Sequence, residues 1–133
     1  ERGERCHFDR NYSFVNLGGF TAFPNMRYVL TSNEDKSTPS NEVMWRVTAR
    51  APLTVYLNFR SESHVTHSGA AAWLAKGEWK REGLKSTVST GVPNGPYQGP
   101  VYSKATESGT IDLMGSNCRE GTYFVFIDVQ GWT

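Results

Sequence analysis

The chain of 133 residues predicts an all-β domain, a two-sheet antiparallel β-sandwich of jelly-roll-like type, and three observations carry that expectation. Apolar residues recur at alternate positions in several short runs, most cleanly as Leu53, Val55, Leu57 and Phe59. Turn chemistry separates these runs, with 13 glycines and 6 prolines spread along the chain rather than gathered in a linker. Strand–helix alternation at βαβ spacing is absent, which argues against a doubly wound sheet.

Taken in order, strands are expected over Tyr12–Leu17 and Met26–Thr31, followed by a polar loop from Ser32 to Asn41. Val43–Ala49 is the next strand, with Val43, Trp45 and Val47 on one face. Ala51-Pro52 turns the chain into Leu53–Phe59, whose other face (Thr54, Tyr56, Asn58) is expected to be partly wet. Ala70–Lys76 has helical propensity but meets Gly77 within two turns, so Gly69–Glu82 reads as a short helical turn or irregular loop. Strands resume at Leu84–Thr90, and Gly91–Pro96 makes a turn or excursion. Val101–Ala105, Thr110–Met114 and Thr122–Gln130 complete the set, the last with apolar residues on both faces. The expected core is Val29, Val43, Trp45, Val47, Leu53, Val55, Leu57, Phe59, Leu84, Ile111, Leu113, Val125 and Ile127. No repeat or boundary divides the chain, so residues 1–133 are expected to form a single domain.

Composition narrows the function. The formal net charge is +1 and charged residues make up 20%, giving no electrostatic case for nucleic acid or an acidic surface. No apolar run approaches the roughly 20 residues that cross a bilayer, so no membrane insertion is expected. The start, Glu1 to Arg5, is neither an initiator nor a hydrophobic leader, as in a mature protein or an excised domain. Cys6 and Cys118 are placed to bridge the two ends of a sandwich, closing a loop worth roughly 4–5 kcal/mol in the chain-entropy model. Two buried thiols are the alternative. Such a bridge, and the glycosylation pattern Asn11-Tyr12-Ser13, suit a secreted or cell-surface home.

Catalytic chemistry finds little support. No Gly-x-Ser-x-Gly elbow and no phosphate-binding glycine loop exist, and none of the carboxylates is marked by spacing as a glycosidase pair. His64 and His67, three apart, have only Glu62 or the distant His7 as further ligands, so two loop histidines without a metal is the favoured reading. Asn33 to Lys36 lacks calcium-hand spacing and is better suited to pinning a turn. No enzyme activity, metal or cofactor is expected.

The aromatic residues are more informative: 4 Trp, 6 Tyr and 7 Phe. Trp45 belongs to a core pattern, whereas Trp73, Trp79, Tyr97 and Trp132 fall in loop-like contexts. An exposed indole offers a broad, rigid face for a sugar ring or a protein partner. Trp79, with Tyr97 or Trp73 beside it, is the expected platform, and Asn58, Arg60, Lys80 and Arg81 are the nearest polar donors in sequence. The competing reading packs Trp73 as a plug over the core edge and Trp79 onto the helical turn.

Three stretches carry a resemblance. Tyr28 to Lys36 resembles a strand followed by an Asn-x-Asp-Lys loop. Leu53 to Arg60, then Ala72-Trp73-Leu74, resembles a Thr-Val-Tyr-Val strand, an Asp-x-Arg end and a Pro-Ser-Trp-Leu turn. Val101 to Lys104, then Ser108 to Asn117, resembles a Tyr-x-Lys strand and a Gly-Thr-Val-x-Leu-Gly-x-Asn strand and loop. In this order and spacing they are similar to a β-sandwich accessory module of secreted bacterial proteins, often attached to polysaccharide-degrading enzymes. The departures are Asn58 in place of Asp, Ala71-Ala72 in place of Pro-Ser, and an apparent insertion at residues 91–100. The resemblance implies a sandwich and a noncatalytic, lectin-like, carbohydrate-binding role, with a polysaccharide or glycan as partner. A structural or cell-adhesion domain with a protein partner is the alternative.

Overall fold

The computed structural model describes residues 14–16, 26–29, 35, 37–59, 62–67, 69–83, 87–88, 100–116 and 123–129. The described elements run β1 (Phe14–Asn16), β2 (Met26–Val29), β3 (Val43–Ala49), β4 (Leu53–Asn58), α1 (Glu62–His67), α2 (Ala70–Lys76), β5 (Lys80–Glu82), β6 (Thr87–Val88), β7 (Val101–Thr106), β8 (Gly109–Met114) and β9 (Phe124–Val129). All strand pairs are antiparallel. One sheet has the order β2-β9-β4-β7-β5, a second pairs β3 with β8, and β1 pairs with β6. The chain is an all-β, sandwich-like domain, as the alternating pattern predicts.

β4 is central to the larger sheet. Leu57 pairs with Tyr102 on β7 and Val125 on β9, so this strand has no free edge. Its inward residues Val55, Leu57 and Phe59 are fully buried and meet Ile111 and Leu113 from β8 in one core. Trp45, Val47, Val29 and Ile127 pack against that core while only partly buried. At roughly 1.5–3 kcal/mol per fully buried large apolar side chain, this alternating set is the main source of fold stability.

The structure corrects several expectations. The second face of β4 is drier than expected: Thr54 is half-buried, but Tyr56 is 8% exposed and Asn58 is fully buried. Val43, expected in the core, is 41% exposed at the start of β3, where the register with β8 slips between Val43 and Trp45. His64 and His67 do not lie in a loop but on α1. β5 was not expected at all; three largely exposed residues hold the edge of the five-stranded sheet through β7. Leu84, Cys6 and Cys118 lie outside the described residues, as do Asn33, Glu34 and Lys36. Asp35 is described, and its Oδ2 accepts the Trp45 indole N–H at 2.8 Å, which ties that loop to the core.

Candidate functional site: an aromatic hollow beside the second helix

The site begins with a helix end. α2 starts after Gly69, whose φ of 87° is left-handed; a Cβ there would strike the Ser40 side chain, so the absence of a side chain lets the helix start against the 38–42 turn. At the other end, Glu78 takes a φ of 59°. Its N–H donates to the Ala75 carbonyl at 3.2 Å, and the Trp79 N–H donates to the Leu74 carbonyl at 3.0 Å. This is the Schellman pattern, and its usual apolar contact across the end of the helix is supplied by indoles. Trp79 folds back on Trp73, ring centroids 6.2 Å apart and planes at 78°. Gly77 permits the approach, since a Cβ there would lie 3.0 Å from Trp79 Cδ1. Local cap chemistry thus joins two tryptophans that are six positions apart.

Trp73 is anchored from below. Its Nε1 donates to the Gly115 carbonyl at 3.0 Å, and its ring meets Phe59 and Tyr123 at 6.2 and 5.9 Å. Gly115 is itself wedged, because a Cβ would collide with the Thr38 and Pro39 carbonyls, while its N–H donates to the Glu42 carbonyl at 2.9 Å. Tyr123 is fully buried and its hydroxyl donates to the Met114 carbonyl at 2.6 Å. Burial pushes its phenol well above the ordinary value, by disfavouring the anion. Trp45 meets the same Tyr123 ring edge-on at 5.5 Å. A continuous aromatic stack therefore runs from the core to the partly exposed Trp79.

Above this stack lies an open hollow of about 660 Å³. Trp73, Trp79, Ala72, Ile111 and Met114 give it an apolar lining. Asn41, Lys76, Lys104, Thr106, Thr110 and Asp112 supply polar groups. Lys104 Nζ lies 5.9 Å from the centre of the Trp79 ring, within range of a cation–π attraction. The Asp112 carboxylate accepts from Arg46 Nε at 2.6 Å, which holds its pKa below the usual range. A smaller hollow of about 230 Å³, between Pro52–Thr54 and Ala105–Glu107, is lined by no aromatic ring.

Of the residues singled out from sequence, Trp73 and Trp79 come together on this hollow. Lys80 and Arg81 do not line it; they are exposed on β5, where Arg81 pairs with Glu62 and lies 6.0 Å from the Tyr102 ring. Asn58 is enclosed in the sheet, and its Nδ2 donates to the Phe59 carbonyl at 3.2 Å, so it presents nothing to a ligand there. Arg60, Tyr97 and Trp132 lie outside the described residues. Lys76, Lys104 and Asp112 were missed. The signal for Lys104 was a register: Lys80 pairs with Ser103, so Trp79, one step earlier, falls opposite Lys104.

A second polar pair was also missed. His64 Nε2 lies 3.0 Å from Ser116 Oγ. His64 is only 3% exposed and Ser116 is fully buried. The pair ties α1 to the end of β8 and satisfies two polar groups that would be costly to bury alone. Among the described residues no cluster of three or more His, Cys, Asp or Glu could hold a metal. No described helix is long and apolar enough to cross a membrane.

Comparison of the chain with protein-family models, with curated proteins and with solved structures found no match.

Proposed function

We propose that this chain is a noncatalytic carbohydrate-binding domain of a secreted or cell-surface protein, and that it takes a glycan in the hollow beside α2. The observation that carries this reading is the pairing of Trp73 and Trp79 on a hollow whose remaining lining includes hydroxyl, amide and charged groups. Sugars have two surfaces of opposite character. The C–H faces of a pyranose are apolar and suit an indole. The hydroxyls need directed partners, since an unpaired desolvated hydroxyl costs about 1–3 kcal/mol. With planes at 78°, the two indoles cannot both lie flat on one ring. Trp79 is the stacking face and Trp73 a wall. Asn41, Thr106, Thr110 and Asp112 are the partners for hydroxyls, in place of the donors nearest in sequence.

Affinity electrophoresis of the folded protein across soluble polysaccharides tests this reading. Retardation by at least one neutral or acidic polysaccharide is expected. Uniform mobility in every gel, from protein with an intact unfolding transition, would reject it in favour of an adhesive or spacer domain.

A further inference from the structure

We infer that the preferred ligand of the hollow is an anionic pyranose, one carrying a carboxylate or a sulfate ester; this rests on the glycan reading above and narrows it. Charge is the basis. Among the described residues, the ionisable side chains lining the hollow are Lys76, Lys104 and Asp112. The single carboxylate is already paired with the Arg46 guanidinium, 2.6 Å away. Cations therefore outnumber anions at this mouth, although the whole chain carries a formal charge of only +1.

The two ammonium groups differ in how they are held. Lys76 is exposed in the last turn of α2. Lys104 is half-buried on β7, opposite Trp79 one step before β5, with its Nζ 5.9 Å from the Trp79 ring centre. Neither has an ion-pair partner among the described salt bridges, which join Arg46 to Asp112 and Arg81 to Glu62. The C5 carboxylate of a uronic acid projects in the mean plane of the sugar, beyond the edge of an indole on which the sugar stacks. An ammonium beside that indole meets it after a modest swing of the lysine stem. A neutral sugar would leave the half-buried Lys104 ammonium further desolvated and uncompensated, which disfavours the neutral ligand as well as favouring the acid. An acidic peptide would satisfy the lysines but would leave the indole face without its apolar ring.

Calorimetric titration at low salt tests the inference with paired probes. These are oligomers of galacturonate, glucuronate and mannuronate, each beside its neutral methyl ester, together with a sulfated galactan oligomer and oligoglutamate. At least one acid is expected to bind roughly three- to tenfold more tightly than its ester, the size a pair of solvent-facing lysines supplies. Lys104→Gln should bring that ratio close to one, by weakening the acid and by binding the ester somewhat more tightly once no ammonium is left to desolvate, and Lys76→Gln should narrow it less. Preference for the sulfated oligomer over every uronate, lost equally in Lys104→Gln, would assign the anion as sulfate. Equal binding of every acid and its ester by the wild-type chain, with no preference for the sulfated oligomer, would overturn the charge inference and leave the stacking platform standing. Oligoglutamate binding as tightly as any acidic sugar would overturn the sugar preference. Silence from every saccharide, neutral ones included, would overturn the platform itself.

Discussion

Trp45 and the Trp73–Trp79 pair place the same residue type in two settings. Trp45 sits within a seven-residue strand, paired in register with Leu113, and its indole N–H is satisfied by Asp35. Trp73 also has a satisfied indole, through Gly115, and both Trp45 and Trp73 lean on the same Tyr123. The difference lies on the other side. Trp45 does not line the hollow beside α2, whereas Trp73 and Trp79 do. Tryptophan in this sheet register packs on the core away from the hollow. Tryptophan at a helix end, where a cap turns the chain back on itself, gains its packing from one side and keeps another on the hollow.

Replacing each indole by phenyl sharpens this contrast and should give the largest effects on stability. Trp45→Phe and Trp73→Phe each leave an acceptor, Asp35 or the Gly115 carbonyl, without its donor. Each should cost about 1–3 kcal/mol in urea unfolding. Only Trp73→Phe should also weaken glycan binding. Equal loss of binding in both would mean that the hollow responds to general loosening of the core.

The shared Tyr123 gives a pH test of the common base. In the unfolded chain its phenol ionises near the ordinary value of about 10. In the fold, burial holds the proton to higher pH. Its contribution to stability is therefore complete below about pH 10 and is lost as the pH rises from there through the folded-state value, by at most ~1.4 kcal/mol per unit. Urea midpoints between pH 8 and 11 should fall accordingly, and Tyr123→Phe should flatten the upper part of that profile. An unchanged slope in the variant would show that other groups govern alkaline unfolding.

A smaller effect isolates the helix end. Glu78 holds a left-handed conformation that costs an L-residue about 1 kcal/mol and glycine almost nothing. Glu78→Gly should therefore raise stability by up to about that amount, partly offset by the entropy of glycine in the unfolded chain. Glycan affinity should stay within twofold. A destabilised variant would contradict the cap as the device that brings Trp79 onto Trp73.

The strands that face a single apolar core were legible because period-two alternation survives translation into structure. β3 has the expected bounds, and β4, β7, β8 and β9 are shifted by no more than a residue or two at either end. What was not legible depends on neighbours. Asn58 and Tyr56 read as outward residues, yet both are buried on the middle strand of the five-stranded sheet, and no local pattern in the strand announces that its second face is covered. α1 carries Ser, Thr and two His with one aliphatic residue, so its six positions show no apolar period. β5 is an exposed edge strand whose only signal is its pairing with β7. The same holds for the hollow. Trp73 and Trp79 stood out as indoles in loop-like context, but Lys104 joins them only through the β5–β7 register, and Asp112 only because the fold lays β8 beside α2.

The central claim is that Trp79 presents its face to a sugar. It is tested most directly by comparing wild type with Trp79→Ala, using the polysaccharide that retards the wild-type chain most strongly. Trp79 packs on the helix end rather than in the buried core, so the variant should retain a cooperative unfolding transition. Its affinity should fall by about tenfold or more, consistent with the loss of an aromatic anchor. Unchanged affinity in a folded Trp79→Ala variant would contradict the account.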